Sequence, residues 1–299
     1  MPKADKAPKL SVVVIFHNMR REATRTLFSL SPTYQQGVRA DDYEVIAIDN
    51  GSTEPLNADQ VHAVAPNVRY LAHATASRSP VDAVNLGVDL ARSENVAICI
   101  DGARILSPGI LRYSLMAFRA FAGPFVCTLG WHLGDEVQNV SVAKGYGQPV
   151  EDRLLASVDW QTNGYALFSI SALALSCKDG WFSSILESNC FAIAKKEFLR
   201  LGGFCDRFQT AGGGLVNLDF FASACEAPHL EPVVLLGEGT FHQFHGGAAT
   251  NVPLAEHPWP RFHEEYARVR AKPYAPPPFS PHYLGHLPPE ARRFLGATR

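Results

Sequence analysis

The sequence predicts an α/β fold built on a doubly wound, mainly parallel sheet. Three observations carry this. Short apolar runs with the length of buried strands alternate with helix-period segments between residues 10 and 109. Those runs carry β-branched residues without polar alternation, as strands covered on both faces do. Polar residues gather where the runs end, and in such sheets ligands bind beyond the carboxyl ends of the strands.

The elements follow in order. Leu10 to Phe16 is a β-branched run and the first strand; Arg20 to Leu30 has the helical spacing of Ala23, Leu27 and Leu30. Tyr43 to Ile48 is a second strand, closed by the loop signal Asp49-Asn50-Gly51-Ser52. Val68 to Leu71 is a third strand, Pro80 to Arg92 a helix with Val81, Val84 and Val88 among its apolar positions, and Val96 to Ile100 a fourth strand. Strand–helix alternation of this kind argues for parallel pairing. The strand ends direct His17-Asn18, Asp49-Asn50 and Asp101 toward one crevice.

The remainder is less regular. Leu111 to Phe121 reads as a helix, Phe125 to Leu129 and Glu187 to Ala194 as strands, Lys195 to Leu201 and Asn217 to Ala224 as helices, with a turn at Gly202-Gly203-Phe204. Past residue 250 prolines accumulate, at 276–278 and 288–289, which suggests an extended or loosely helical arm packed on the body. The expected organisation is one catalytic domain over 1–250, with a nucleotide-binding half at 10–109 and an acceptor half at 110–250, followed by a Pro-rich arm at 251–299.

Composition narrows the classes. An apolar content of 46% and a charged content of 19% are ordinary for a soluble protein. A net charge of −2 gives no electrostatic case for nucleic acid or an anionic membrane as the main partner. The six cysteines are scattered with no C-x-x-C pair, which suggests reduced thiols and a cytoplasmic setting, peripheral membrane association being left open. The first ten residues are polar and do not read as a signal peptide. The longest apolar stretch, Gly164 to Cys177, falls short of the roughly 20 residues a membrane span takes, so no transmembrane segment is expected and the stretch reads as core.

Several chemistries are excluded by what is missing. The first strand is followed by Phe16-His17-Asn18-Met19, not by G-x-G-x-x-G, and no G-x-x-x-x-G-K-[ST] loop or G-x-S-x-G elbow occurs.

The motifs present resemble those of the GT-A fold glycosyltransferases of family 2. Val12-Val-Val-Ile-Phe-His-Asn18 is similar to the family's first strand and turn, and Val45-Ile-Ala-Ile-Asp49-Asn-Gly-Ser-Thr53 to its V-D-D-G-S-T-D. Ala83-Val-Asn85-Leu-Gly87 is similar to A-R-N-x-G, and Ile100-Asp101-Gly-Ala-Arg104 with Ser107-Pro108-Gly109 to the D-x-D-D-x-x-x-P-G region. Asn189 to Ile193 and Leu201-Gly-Gly-Phe-Cys-Asp206 match the acceptor-side strand and the G-G-F-D-E turn. Gly212-Gly-Gly-Leu-Val-Asn-Leu-Asp219 stands where the family has G-x-E-D-x-D-L. The resemblance spans about residues 10 to 245.

It implies a hexosyltransferase-like enzyme of glycan or polysaccharide synthesis. Such an enzyme moves a sugar from a nucleotide-diphosphate donor, UDP-linked in the first instance, to a hydroxyl acceptor with inversion. The acceptor would be a glycan, a lipid-linked molecule or a small molecule. The implied donor-binding residues are Phe16, Asn18, Asp49, Gly51, Ser52, Asn85, Asp101, Gly102 and Arg104. In this reading Asp49 accepts from a base imide and Asp101 from ribose hydroxyls; an Asx-type turn is the alternative for Asp49, and a surface or turn amide the alternative for Asn85.

The family holds Mn²⁺ or Mg²⁺ through the second acid of D-x-D, and here that position is Ala103. Two substitutes are open: Arg104 neutralising the diphosphate directly, or Asp101 holding the metal with His245 or His242 from the Gly239–Gly247 segment, which reads as a loop. His245 is the favoured ligand, and core hydrogen bonding is the alternative. Inverting transfer also needs a general base. In the family register its acidic pair falls on Val216-Asn217, so Asp219, in a shifted register, and Glu187 are the candidates. Trp181-Phe182 could stack on a sugar or lie in the core. Two other classes compete: a degenerate domain that binds nucleotide or glycan without turnover, and a sugar-phosphate nucleotidyltransferase, disfavoured because no basic glycine-rich loop follows the first strand.

Overall fold

The computed structural model describes residues 7–65 and 67–295; the ends of the expected 1–250 and 251–299 segments, and part of the polar stretch read as lacking a signal peptide, lie outside them. In chain order the first half comprises β1 (Leu10–Phe16), α1 (Arg20–Ser29), β2 (Tyr43–Asn50), α2 (Ala58–Val64), β3 (Val68–His73), α3 (Val81–Leu90), β4 (Asn95–Cys99), β5 (Arg104–Leu106) and α4 (Ile110–Ala120). The second half comprises β6 (Pro124–Leu133), α5 (Gln138–Ser141), α6 (Gln148–Ala156), β7 (Ser171–Leu173), β8 (Cys190–Ala194), α7 (Lys195–Arg200), α8 (Val216–Glu226), β9 (Glu231–His242), α9 (Trp259–Arg270) and β10 (His282–Gly285).

These strands form one sheet in the order β10-β9-β6-β8-β4-β1-β2-β3, with β5 paired to β9 and β7 to β6. The β3-β2-β1-β4 block is parallel throughout, β8 runs antiparallel to β4 and β6, and β6, β9 and β10 are again parallel. The doubly wound, mainly parallel sheet is therefore the observed one. Its two faces bury separate cores. Along β1, Val13 and Ile15 point into the core that also holds Val84 and Val88 of α3, while Val12, Val14 and Phe16 point into the core holding Ala23 and Leu27 of α1. The uninterrupted apolarity of β1 follows from this period-2 division between two covered faces.

Three features depart from the sequence reading. α2 went unread because its seven residues bury only Val61; a side-chain cap from Asn57 to the Gln60 N–H starts it. β9 (Glu231–His242) covers a stretch to which the sequence reading assigns no element. Gly237, at φ 77°, leaves room for the carbonyl of His286, and a side chain at Gly239 would sit 2.1 Å from the Trp131 ring. The segment past residue 250 contributes a three-turn helix and an edge strand. Phe294 joins the aromatic core of Trp131, Phe168 and Trp181, which also places Trp181 away from any sugar.

The Ser107-Pro108-Gly109 boundary is held by a buried carboxylate. Glu238 accepts from the Ser107 hydroxyl (2.5 Å), the Gly109 N–H (3.0 Å) and the Tyr165 hydroxyl (2.7 Å). Burial outweighs these donors and pushes its carboxyl up to about 7. Because the folded chain binds this proton more tightly than the unfolded chain, the stabilisation is complete below about pH 4.5 and is lost as pH rises through about 7. By pH 8 the loss is on the order of 3 kcal/mol. Glu238→Gln cannot ionise. The Tm difference between this variant and wild type should therefore move in the variant's favour by about 5 °C between pH 5 and pH 8, measured by calorimetry. Contributions from other titrating groups cancel in that difference, and a difference that stays flat with pH contradicts the assignment.

Candidate active site

Beyond the carboxyl ends of β1, β2 and β4 opens a cleft of about 1280 Å³. Its donor-side wall is built by loops that tie two strand ends together. Asn18 takes a left-handed φ of 53°, and its Oδ1 accepts from the N–H (2.9 Å) and hydroxyl (3.0 Å) of Thr53. Its own N–H donates to the Ser52 hydroxyl. Gly51, at φ 66°, passes so close to the Thr75 carbonyl that a side chain would stand 2.3 Å from it. Asn50 lines the cleft and donates from Nδ2 to the Ser79 carbonyl, while its buried Oδ1 has no partner.

Of the sequence-predicted donor residues, Asn18, Gly51, Asp101 and Arg104 line this cleft. Five others do different work. Asp49 is 2% exposed and its two oxygens accept from the Ser52 and Leu56 N–H groups, so it shapes its own loop and Asn50 takes the wall position. Ser52 braces Asn18. Phe16 is fully buried in the core under α1, and Gly102 is pressed against it, where a side chain would lie 2.3 Å from the Phe16 ring. Asn85 turns away from the cleft and bridges α3 to the 202–206 turn, donating to the Phe204 carbonyl and accepting from its N–H.

The floor of the cleft is set by sheet register. β5 and β6 flank the end of β9 so that Arg104, His242 and His132 are direct neighbours across three strands and share one face. The chain then turns after β9 and brings His245 back. The ligand atoms of Asp101, His242 and His245 all lie within 4.8 Å of one another. His242 Nε2 is 3.0 Å and His245 Nε2 3.7 Å from the Asp101 carboxylate, and Arg104 Nε is 3.4 Å from it. Both histidines thus take part, where the sequence favoured His245.

Hydrogen bonds fix which nitrogen of His242 carries its proton. Asn251 Oδ1 accepts three successive N–H groups, from His245, Gly246 and Gly247, so its amide nitrogen must face the other way, toward Gln138 Oε1 at 2.8 Å. Gln138 Nε2 donates to the His242 carbonyl, which leaves Oε1 to accept from His242 Nδ1 at 2.7 Å. The proton therefore sits on Nδ1 and the Nε2 lone pair points at Asp101. Burial lowers the His242 imidazole to about 4, while Asp101 is held well below the usual carboxylate range, the pull of His242, His245 and Arg104 outweighing burial. A neutral imidazole and an ionised carboxylate facing one another at 3.0 Å present lone pair to lone pair. The Thr250 hydroxyl, 3.3 Å from His242 Nε2, can donate to it; a divalent cation would satisfy imidazole and carboxylate together, and the carboxylate, two imidazoles and ordered second shell fit one.

On the acceptor side Glu187 lines the cleft, and Asn217 Nδ2 donates to its Oε2 at 2.8 Å. Asp219 is not available as a base. Arg270 of α9 grips both its oxygens (2.7 and 2.5 Å), and the buried Asp219 carboxylate thus meets the partly exposed guanidinium of the arm and does not line the cleft. The helical period explains this: Asn217 and Asp219 are two residues apart on α8 and so face different sides. Among the described residues lining the cleft, the only carboxylates are Asp101 and Glu187. Sequence reasoning missed His132, Gln138 and Asn251, because their roles arise from strand register and loop closure. Asn50 was legible only as half of a polar strand end.

Comparison with known proteins agrees with this geometry. Residues 11–138 match the family model described as glycosyl transferase family 2. Similar solved structures include S. aureus TarS residues 1–349 (16% identity, TM-score 0.52, covering 79% of this chain and 60% of that one). The same fragment in complex with UDP-GlcNAc is similar too (16% identity, TM-score 0.54, 80% and 59%). The chain thus spans about 60% of those structures, and 36% of the longer TarS structure. No curated protein matches the chain by sequence. The architecture is the GT-A fold.

Nitrogen-rich donor sets favour Mn²⁺ over Mg²⁺. Calorimetric titration of the UDP-bound protein should give a Mn²⁺ affinity that His242→Ala abolishes. Gln138→Ala, which releases the imidazole's orientation, should weaken it by about 10- to 100-fold. Equal affinity in both variants and wild type contradicts the site.

Proposed function

We propose that this GT-A chain, whose residues 11–138 belong to glycosyl transferase family 2, moves a sugar from a UDP-linked donor to a hydroxyl acceptor with inversion at the anomeric carbon. The observation that carries the reading is the pairing, on one cleft, of the Asp101–His242–His245 cluster with a single remaining carboxylate, Glu187.

Each part of the donor has a counterpart. The unpartnered Asn50 Oδ1 is an acceptor suited to the imide N–H of uracil, and the UDP-GlcNAc complex of TarS supports a uridine donor by analogy. A divalent cation held by Asp101, His242 and His245 would act as a Lewis acid on the departing diphosphate. Arg104 supplies a fixed charge beside it, with its buried Nε and Nη1 carrying no hydrogen-bond partner. Asp101 is the one carboxylate in the cluster, so a divalent cation and Arg104 would together face the two negative charges of the diphosphate. The two solutions left open by Ala103 are in this reading complementary.

Glu187 is the proton acceptor. Asn217 holds one oxygen, which leaves the other to take the proton from the acceptor hydroxyl as that oxygen attacks the anomeric carbon. Inverting displacement takes one base and no enzyme nucleophile, which agrees with Asp101 being committed to the donor. The six free cysteines support a cytoplasmic glycan-building role. The non-catalytic reading drew on Ala103 and Val216-Asn217; Arg104, the histidines and Glu187 answer both departures.

UDP with Mn²⁺ should raise the Tm of the wild-type protein, and UDP-sugars should be turned over to UDP. Glu187→Gln should keep the Tm rise and lose at least 10²-fold in kcat. Asp219→Asn should lower the Tm while leaving kcat within a few-fold. A Tm rise without turnover in wild type would favour the binding-only reading, and no rise with any nucleoside diphosphate would remove both.

A further inference from the structure

The part of the cleft beyond Glu187 is walled by the arm, and that wall presents an aromatic surface. Trp259 opens α9, lines the cleft and keeps 43% of its surface exposed. It is held rigidly for so exposed a residue. His263 packs edge-on against the indole (4.6 Å between centroids), and His257 lies 5.7 Å away. The helix beneath is clamped twice, by Arg270 on Asp219 and by Glu265, whose Oε1 accepts the Gln209 and Thr210 N–H groups at 2.9 Å. The polar groups lining this side are Ser176, Glu187, Asn217 and His257, none of them a fixed cation. Arg78 is the one exposed guanidinium on the cleft among the described residues.

This combination selects among acceptors. A polyanion would meet one exposed cation and a carboxylate. Apolar side chains line the cleft too, Leu175, Leu254 and Trp259 the most exposed of them, but an acyl chain there would also desolvate Ser176, Glu187, Asn217 and His257. A pyranose offers an apolar C–H face to an indole and hydroxyls at its edge to neutral hydrogen-bonding groups, which is what this wall provides. We propose that Trp259 is the acceptor platform and that the acceptor is a neutral saccharide, stacked on the indole with one hydroxyl directed to Glu187. This rests on the glycosyltransferase reading of the cleft and adds the acceptor's class and the residue that selects it.

The test is binding of the full chain, with UDP and Mn²⁺ present, to an array of neutral, phosphorylated and uronic-acid glycans, and in parallel to phosphatidylcholine vesicles carrying a polyprenyl phosphate. Wild type should retain a class of neutral glycans. Trp259→Ala should weaken the tightest of these at least tenfold, Trp259→Phe should recover it to within about threefold, and the UDP-induced Tm rise should be the same in all three. Retention of charged glycans or vesicles only, of no glycan at all, or of neutral glycans equally by Trp259→Ala overturns the proposal. Trp259-dependent glycan binding without any UDP-induced Tm rise would support the platform while removing the donor reading.

Discussion

The pairing of three residues, Arg104–Leu106, with the end of β9 is the contact on which the rest of the site depends. It sets Arg104 opposite His242, and it lets the Asp101 turn close onto the last residue of a strand that lies far along the chain. Backbone bonds continue the closure on either side, from Gln243 N–H to the Ala103 carbonyl and from Ser107 N–H to the Gly239 carbonyl. Such close approach tolerates no side chain at several positions. Gly102 lies against Phe16, Gly109 against the Glu238 carboxylate and Gly239 against Trp131. These glycines therefore serve strand contact, and Gly102, though it sits inside the acidic motif, does its work on the core side.

From that closure follows an ordered chain of hydrogen bonds. The 245–247 backbone orients Asn251, Asn251 orients Gln138, and Gln138 orients His242. Each amide in the relay has its donor and acceptor ends assigned by its neighbours, so the imidazole cannot adopt the other tautomer without leaving a buried group unpaired, at about 1–3 kcal/mol. The loop is also anchored at Phe244, whose N–H donates to the buried Glu151. A histidine ligand depends on such outer contacts more than a carboxylate does, because only one of its nitrogens can face the ion.

The fold was legible because its signals are local. The four-strand parallel block, its helices α1 and α3 and the polar strand ends follow from periodicity within short windows, and β1 was read to the residue. Asp101, Arg104, the two histidines and Glu187 were legible as residue types in motif order. What was not legible was which neighbours had already claimed a side chain. Asp49, Asn85 and Asp219 are plausible ligands by type and spacing, yet backbone N–H groups, a turn and an arginine from the arm occupy them. Pairings between residues so distant in sequence leave no periodic trace. β9 went unassigned for a different reason, since Gly237 and Gly239, which its tight contacts require, interrupt the apolar run of a strand.

Asn217 and Asp219, two residues apart on α8, tie the Glu187 side of the cleft to the arm. Val216 and Asn217 stand where the family pattern has acids, and removing acids from the start of α8 removes a base. Asn217 keeps a role by presenting an amide to Glu187, a carboxylate from the segment before β8. Asp219 is the anchor for Arg270. With Glu265 bonded to the backbone just before the Gly212–Gly214 run, α9 grips the glycine loop and α8 from both sides. The arm is thus continuous with the catalytic half: its helix positions the loop that leads to Asn217, and its last described turn buries Phe294 in the core beside Trp131. A boundary at residue 250 would separate α8 from the salt bridge that fixes it.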